Sequence, residues 1–483
     1  MKKIAILGAG VTGLTAAYEL SKKGYEVTIF EKSNELGGLA TSFTDEAGCV
    51  YDYGPHQFFT DNPRLVKLLK DLLGKDLLIR RKNVTQYFFN KYVPYPPKPT
   101  EYFTKVPLKI GIMAIFEVIM ARIEMQVNSK PDYSFESWTK SRYGKTLYNK
   151  YFKPYTIKTW GVNPDDLDPS TASSRISFNS IFDLFFKTIK HYITKKDDFS
   201  TTHNPLKQGF YYPRGGNVKL MQRLYQECLN NGVNIKKNHE ITEIVVKNFR
   251  VTKLKFSNKR NVSNLDYVIN TAPLTSLNKM LSKSGNFPLK FRDMIFVFIC
   301  FEKKKVSDCN WIYYPNKEII FQRICEFSNF KADMCPENKS NIAAEITCFK
   351  DDEIWNMKDE AIIKRTLNDL KKVHLLKGNE KYIANVVRKQ YIYPIQIKGF
   401  QNIIKDYINK EIAPIKNLVT IGRQGLFKYC NQNECMEMAQ DVVSQIENGT
   451  KKFKYYFESK WKSEAIRKDP GVLKEDVRKL KMA

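Results

Sequence analysis

The chain has 483 residues and carries 79 Lys+Arg against 51 Asp+Glu, a formal net charge of +28. That length suggests two to four domains at about 100–200 residues each, and 42% apolar with 13% aromatic residues excludes a disordered or fibrous chain. Nine cysteines, odd in number and without a CxxC pair or zinc spacing, exclude a disulfide scaffold and read as reduced thiols in a cytoplasmic protein, with no metal site expected.

Met1-Lys2-Lys3 imitates the start of a signal peptide, but Gly8, Gly10 and Gly13 break the apolar run that follows. Lys3–Leu7 therefore reads as a first strand. Gly8-Ala9-Gly10-Val11-Thr12-Gly13 comes next, then Leu14, Ala17 and Leu20 at helical spacing, with Gly24 as the stop. Val27–Phe30 is a second strand ending in Glu31. This βαβ unit is a dinucleotide site: Gly8 permits the tight turn, Gly10 lets a pyrophosphate approach the backbone, and Gly13 lets helix and sheet pack closely. The helix start offers free N–H groups to phosphate, and Glu31 stands where a carboxylate holds ribose hydroxyls. A second glycine pair, Gly37-Gly38, follows just beyond Glu31.

From Asp61 to about Asn204 the pattern is largely helical. Leu65, Leu68, Leu69 and Leu72 form one stripe; Pro94, Pro96, Pro97 and Pro99 mark an extended loop; Leu108–Val127 and Phe135–Phe152 read as helices. The near-apolar run Gly111–Ala121 is interrupted by Glu117 and falls short of the ~20 residues a bilayer span needs. Lys187–Asn204 is a basic connector. A second nucleotide-domain segment starts at Gly209, with strands near Ile241–Val246 and Val268–Thr271. Phe291–Phe301, Trp311–Tyr314, Ile319–Ile324 and Ile342–Thr347 predict an antiparallel sheet. In the third of these, Phe321 and Arg323 share one face. Leu418–Ile421 is a late buried strand, followed by Gly422-Arg423 and a helix from about Asn433 to Ile446. The expected architecture is α/β, with a Rossmann-like dinucleotide-binding domain assembled from 1–60, 207–275 and 415–448. A mainly helical insert spans 61–206 and an antiparallel-sheet substrate domain 276–414. The tail 449–483 is basic; Thr450–Ala483 holds eleven Lys+Arg and five Asp+Glu. It reads as a solvated tail, with peripheral contact to a membrane surface as the alternative. No nucleic-acid motif accompanies the charge.

The glycine pattern with Gly37-Gly38-Leu39-Ala40 resembles the FAD signature of the flavoprotein group that includes amine oxidases, carotenoid desaturases, protoporphyrinogen oxidase and UDP-galactopyranose mutase. Leu39, where many members carry Arg, resembles the mutase branch. That second resemblance runs in family order through the Tyr53-Gly54-Pro55-His56 turn, Tyr92-Val93-Pro94, Tyr155 to Gly161, Arg175-Ile176, Tyr212-Pro213-Arg214-Gly215-Gly216 and Trp311 to Pro315. It continues through Gln322-Arg323-Ile324, Tyr393-Pro394, Gly422-Arg423 and Lys428-Tyr429. It implies a redox-neutral interconversion of pyranose and furanose nucleotide sugars, UDP-linked, in surface glycan synthesis. Reduced FAD, renewed by an external reductant, would act through its N5 nucleophile.

Cofactor contacts are then implied for Gly8, Gly10, Gly13, Glu31, Lys32, Gly37, Gly38, Leu39, Ala40, Gly422 and Arg423. The resemblance implies that Arg175, Arg323, Tyr393 and Tyr429 hold the diphosphate, with Tyr313 a weaker match. Tyr155 and Trp160 would meet the uracil, and His56 would sit at the flavin in a positioning role. A second family histidine is absent; Phe59, Thr60 and Asp61 stand there. The helix from Asn433 would aim its positive end at the flavin. The alternatives are an FAD-dependent oxidoreductase of the same group, which prefers an apolar cavity, and a flavin-bound scaffold docked through the basic tail.

Overall fold

The computed structural model describes residues 1–95, 105, 107–128, 133–173, 176, 209–282, 287–450 and 453–455, with the backbone alone at 122 and 124–128. Pro96, Pro97, Pro99, Arg175, the connector 187–204 and the tail from 456 lie outside these residues.

Lys3–Leu7 is buried at every position but the first, as a strand covered on both faces must be. It sits at the centre of a five-stranded parallel sheet in the order Leu418–Thr420, Tyr267–Asn270, Lys3–Leu7, Glu26–Phe30, Asn234–Lys236. Three separated stretches of chain thus build one sheet. The helix Val11–Ser21 crosses it closely because position 13 has no side chain: a Cβ there would lie 2.1 Å from the Gly8 carbonyl oxygen. The helix Gln432–Glu447 packs against Val11–Ser21, and Asn431 with Glu434 closes a capping box at its start. The strand at Ile241–Lys247 belongs elsewhere: it forms a small antiparallel sheet with Arg250–Phe256 and Asn261–Ser263.

A second, seven-stranded sheet runs Tyr382–Pro394, Phe291–Phe301, Ser340–Cys348, Arg323–Glu326, Trp311–Tyr313, Val84–Phe88, Lys91–Pro94. It is mixed rather than purely antiparallel, because Trp311–Tyr313 runs parallel to Val84–Phe88. The hairpin 84–94 lies in the stretch expected to be mainly helical, yet it completes the sheet of residues 291–394. The strand expected over Ile319–Ile324 is displaced and runs Arg323–Glu326. Ile320 N–H is taken by the Asp369 side chain (2.7 Å), whereas Gln322, just before the strand, already donates to the Glu345 carbonyl on the neighbouring strand (2.9 Å).

Helix Leu108–Asn128 turns Ala114 and Val118 inward, while Leu108, Ile112, Phe116 and Ile123 are exposed. Glu117, the one acid in its apolar run, accepts from Thr146 N–H (2.7 Å) and Oγ1 (2.8 Å) on the helix Phe135–Leu147. Among the described residues no helix is long and apolar enough to cross a membrane.

Candidate functional site

The glycine loop forms a cradle. Gly8 has φ +104°, which few residues other than glycine adopt. Gly37 donates to the Ala9 carbonyl (2.8 Å), and a Cβ on Gly38 would sit 3.4 Å from Gly10 Cα, so the two glycine pairs lie side by side. A Cβ built on Gly10 meets no protein atom within 4 Å. The first turn of the helix it caps carries no acid. Open space above unblocked N–H groups at a helix start fits a pyrophosphate. Glu31 closes the loop: it accepts from Ala9 N–H (2.8 Å) and from Ser33 N–H (2.9 Å). Lys32 is exposed, Leu39 half-buried and Ala40 buried. Gly422 stands over Thr12, where a Cβ would lie 2.8 Å from Oγ1, so the late strand delivers its following turn to the same helix start.

Beyond the cradle, the His56 carbonyl accepts from Asn217 Nδ2 and Gln432 Nε2, both at 2.9 Å. Around this junction His56 Nδ1, Gln57 Nε2, Gln432 Oε1 and Asn433 Oδ1 are buried without partners among the described residues. Orphaned donors and acceptors on a turn and a helix start that touch each other fit the polar edge of a flavin ring. Burial, with the charges of Arg423 and Arg323 adding to it, pushes the His56 imidazole down to about 3. It is therefore neutral at working pH, which supports position rather than proton transfer.

Arg423 does not present an open fork. Its Nε and Nη2 donate to the Ile392 carbonyl (3.2 and 2.9 Å), Nη1 donates to the Cys430 carbonyl, and its plane lies 4.1 Å from the Tyr429 ring centroid. It holds together the end of the strand Tyr382–Pro394 and the turn before the helix Gln432–Glu447.

The remaining expected residues converge around Arg323. Its Nε and Nη2 grip Glu345 (2.9 and 2.6 Å), and Nη2 also reaches the Tyr393 hydroxyl at 3.5 Å. Glu345 is fully buried and directly opposite on the neighbouring strand. Burial works against the guanidinium, but the Glu345 charge outweighs it and keeps Arg323 firmly protonated. Tyr313 lies 5.9 Å from this guanidinium and packs edge-on against Tyr155. Trp160, Tyr393 and Tyr429 form a second aromatic group with centroids 5.3–5.7 Å apart.

Several participants carry little or no signal in the sequence. Glu345 shows only as a charge inside the apolar run 342–347. Tyr95 and Tyr151 join the ring stack of Tyr313 and Tyr155. Lys82 sits 5.9 Å from Phe59 and 5.7 Å from Trp311, with burial lowering its pKa, beside the stretch where the second family histidine is missing.

A parallel nucleotide sheet with a glycine cradle, joined to a large mixed sheet, defines an FAD-dependent flavoprotein with an amine oxidase-like α/β fold. The chain belongs to the flavin containing amine oxidoreductase family, which it matches over residues 11–393, and FAD is its cofactor. It is 28% identical over 267 residues to 1-hydroxycarotenoid 3,4-desaturase of Flavobacterium sp. (strain P99-3), covering 52% of this chain and 53% of that one. It is 29% identical over 182 residues to a probable UDP-galactopyranose mutase of Klebsiella pneumoniae, covering 35% and 44%. The chain thus spans about half the length of these curated relatives. Its fold is similar to the crystal structure of reduced UDP-galactopyranose mutase, with a TM-score of 0.79 over 93% of this chain and 94% of that one at 19% identity.

Proposed function

We propose that the protein is a nucleotide-sugar mutase that interconverts pyranose and furanose forms without net redox. The observation that carries this reading is the convergence of Arg323, Tyr313, Tyr393 and Tyr429 with Tyr155 and Trp160 beside the His56 turn. Planar guanidinium and phenolic donors suit a diphosphate; flat aromatic faces suit uracil. FAD held by the glycine cradle would, in its reduced form, supply an electron-rich nucleophile for the sugar's anomeric carbon. Glu345 fixes the plane of the guanidinium through Nε and Nη2, which leaves Nη1 as the atom that would donate to a phosphate oxygen. The Tyr393 hydroxyl lies close enough to share that oxygen. Arg175 belongs to the same proposal on its sequence match alone. The cradle glycines, Gly37-Gly38 and Gly422 would hold the FAD phosphates. Asn217 and Gln432 hold the His56 carbonyl, which would fix that turn beside the flavin.

One observation favours the second reading, an oxidoreductase. Glu345 neutralises Arg323, so this pair adds no net positive charge to an aromatic-lined site, which suits a less charged substrate. The two readings part on one experiment. The reduced holoprotein is incubated with UDP-galactose, and product sugar and hydrogen peroxide are both measured. Ring-contracted product without stoichiometric peroxide supports the mutase. Steady peroxide from an amine or another hydride donor, with no isomerised sugar, overturns it. Arg323→Lys keeps the charge opposite Glu345 but loses the fork. It should weaken turnover, but by less than the loss of about 10- to 150-fold that follows removal of a whole charge-assisted bond of about 1.5–3 kcal/mol.

A further inference from the structure

Three cysteines far apart in sequence meet in space. Cys49 follows the turn 45–48, Cys300 lies near the end of the strand Phe291–Phe301, and Cys335 is in the loop leading to Ser340–Cys348. Cys49 Sγ is 3.1 Å from Cys300 Sγ and 3.0 Å from Cys335 Sγ, and all three sulfurs lie within 4.8 Å of one another. Cys49 and Cys300 are buried, whereas Cys335 is half-buried and leaves the cluster an approach. Buried cysteines ordinarily pack as small apolar groups, which does not require their sulfurs to face each other. A disulfide would use only two of the three, and Cys49 is almost equidistant from both candidates. A soft cation uses all three.

We propose that Cys49, Cys300 and Cys335 form a thiolate site for a single soft d10 metal ion of the Zn(II) or Cu(I) type. Thiolate donors select such ions, which impose little geometry of their own. Asp45 is a positioning residue and not a fourth ligand: one oxygen accepts from Cys49 N–H and the other from the Tyr51 hydroxyl, both at 2.8 Å. With zinc–sulfur bonds of about 2.3 Å, tetrahedral ligands stand about 3.8 Å apart. The two short separations would open by about 0.7 Å on that geometry, and the loop carrying Cys335 is the element placed to move. Binding releases the thiol protons to solvent as three metal–sulfur bonds form. Because binding displaces thiol protons, metal affinity should strengthen as pH rises. Lys339, whose charge acts on Cys300, offsets part of the anionic character of the loaded site. The ion would fasten the turn at 45–48 to the large sheet. This inference is independent of the substrate reading.

The test uses the full-length, reduced, FAD-loaded protein after treatment with a chelator, titrated with Cd(II). A sulfur-to-cadmium charge-transfer band should grow to one equivalent, and the melting temperature should rise with it. Loss of an outer-sphere partner typically costs about 10–100-fold in metal affinity, so Cys335→Ser, which removes a direct ligand at the half-buried position, should cost at least that. FAD content should be unaffected. Cys435→Ser, which breaks up the separate Cys430–Cys435 pair at 3.7 Å, should leave the band intact. Absence of the band in the parent overturns the proposal, as does full retention of the band and its affinity in Cys335→Ser.

Discussion

Arg323 and His56 show how far a residue's neighbours decide its role. On an exposed strand, removing Arg323 costs within about 0.5 kcal/mol. Here it faces a fully buried Glu345, and Gly54 brings the His56 turn against the pair: a Cβ on Gly54 would lie 3.4 Å from Nη2. Arg323→Ala should therefore destabilise the fold by about 3–5 kcal/mol, because it leaves a buried carboxylate unpaired. Arg323→Met combined with Glu345→Leu should recover most of that loss. Urea midpoints of the two variants beside the parent decide it; equal destabilisation in both would contradict the pairing argument. His56 adds a pH dependence. Its folded pKa is depressed to about 3 from 6.5. Between these values the unfolded chain binds a proton that the folded chain does not. The contribution is complete above pH 6.5 and is lost as pH falls. Parent and His56→Gln should diverge less in stability at pH 5 than at pH 7.5, read as a difference in denaturation midpoints. A gap that stays constant or widens on acidification would contradict a buried neutral imidazole.

At the scale of elements, the glycine loop separates two kinds of glycine. Gly10 faces open space, whereas a Cβ on Gly13 would lie 2.1 Å from the Gly8 carbonyl oxygen. Gly10→Ala should leave the apoprotein's melting temperature nearly unchanged yet lower FAD retention, since its methyl enters the pyrophosphate volume. Gly13→Ala should lower the melting temperature of the apoprotein itself, because helix and strand can no longer approach. Flavin absorbance per protein and thermal melts of stripped samples distinguish the two. If both variants lost stability without their cofactor, the open cradle at Gly10 would be wrong. The strand containing Arg323 carries the complementary lesson. Of the strand-forming residues at 319–322, Ile320 gives its N–H to the Asp369 side chain instead of a neighbouring strand, while Gln322 already bonds to the adjacent strand at the Glu345 carbonyl.

For the whole molecule, Asp52 is the knot between chain segments. Its buried carboxylate accepts from Ser42 Oγ, Tyr212 hydroxyl, Asn217 N–H and Asn217 Nδ2. These groups lie on the strands Ser42–Thr44 and Gly209–Pro213 and the helix Asn217–Asn230. Asn217 in turn holds the His56 carbonyl. Asp52→Ala would strand several buried donors at about 1–3 kcal/mol each. The expected outcome is a loss of at least about 3 kcal/mol together with reduced FAD retention, while Asp52→Asn, close in shape, loses less. Denaturation and flavin content measured on both variants check this. Normal flavin content in a destabilised alanine variant would show that the knot supports the fold but not the cofactor site.

The nucleotide half was legible in the sequence because its signals are local. Gly8, Gly10, Gly13 and Glu31 act within one βαβ unit, with the Gly37-Gly38 pair just beyond it, so their meaning is carried by a short stretch of chain. The strands at 291–301 and 340–348 were legible for a similar reason, as long runs of buried apolar residues. Tertiary structure alone decided the partners. Nothing near Arg323 in sequence announces Glu345, 22 positions on, and nothing near Cys49 announces Cys300 and Cys335. Arg423, which the resemblance implies lies near the cofactor, grips two backbone carbonyls that its own sequence neighbourhood does not single out. The physical reason is the same in each case. A periodic pattern records which face of an element is buried, but charge neutralisation and sulfur proximity depend on which other element is packed against that face, and strand pairing across distant segments sets that.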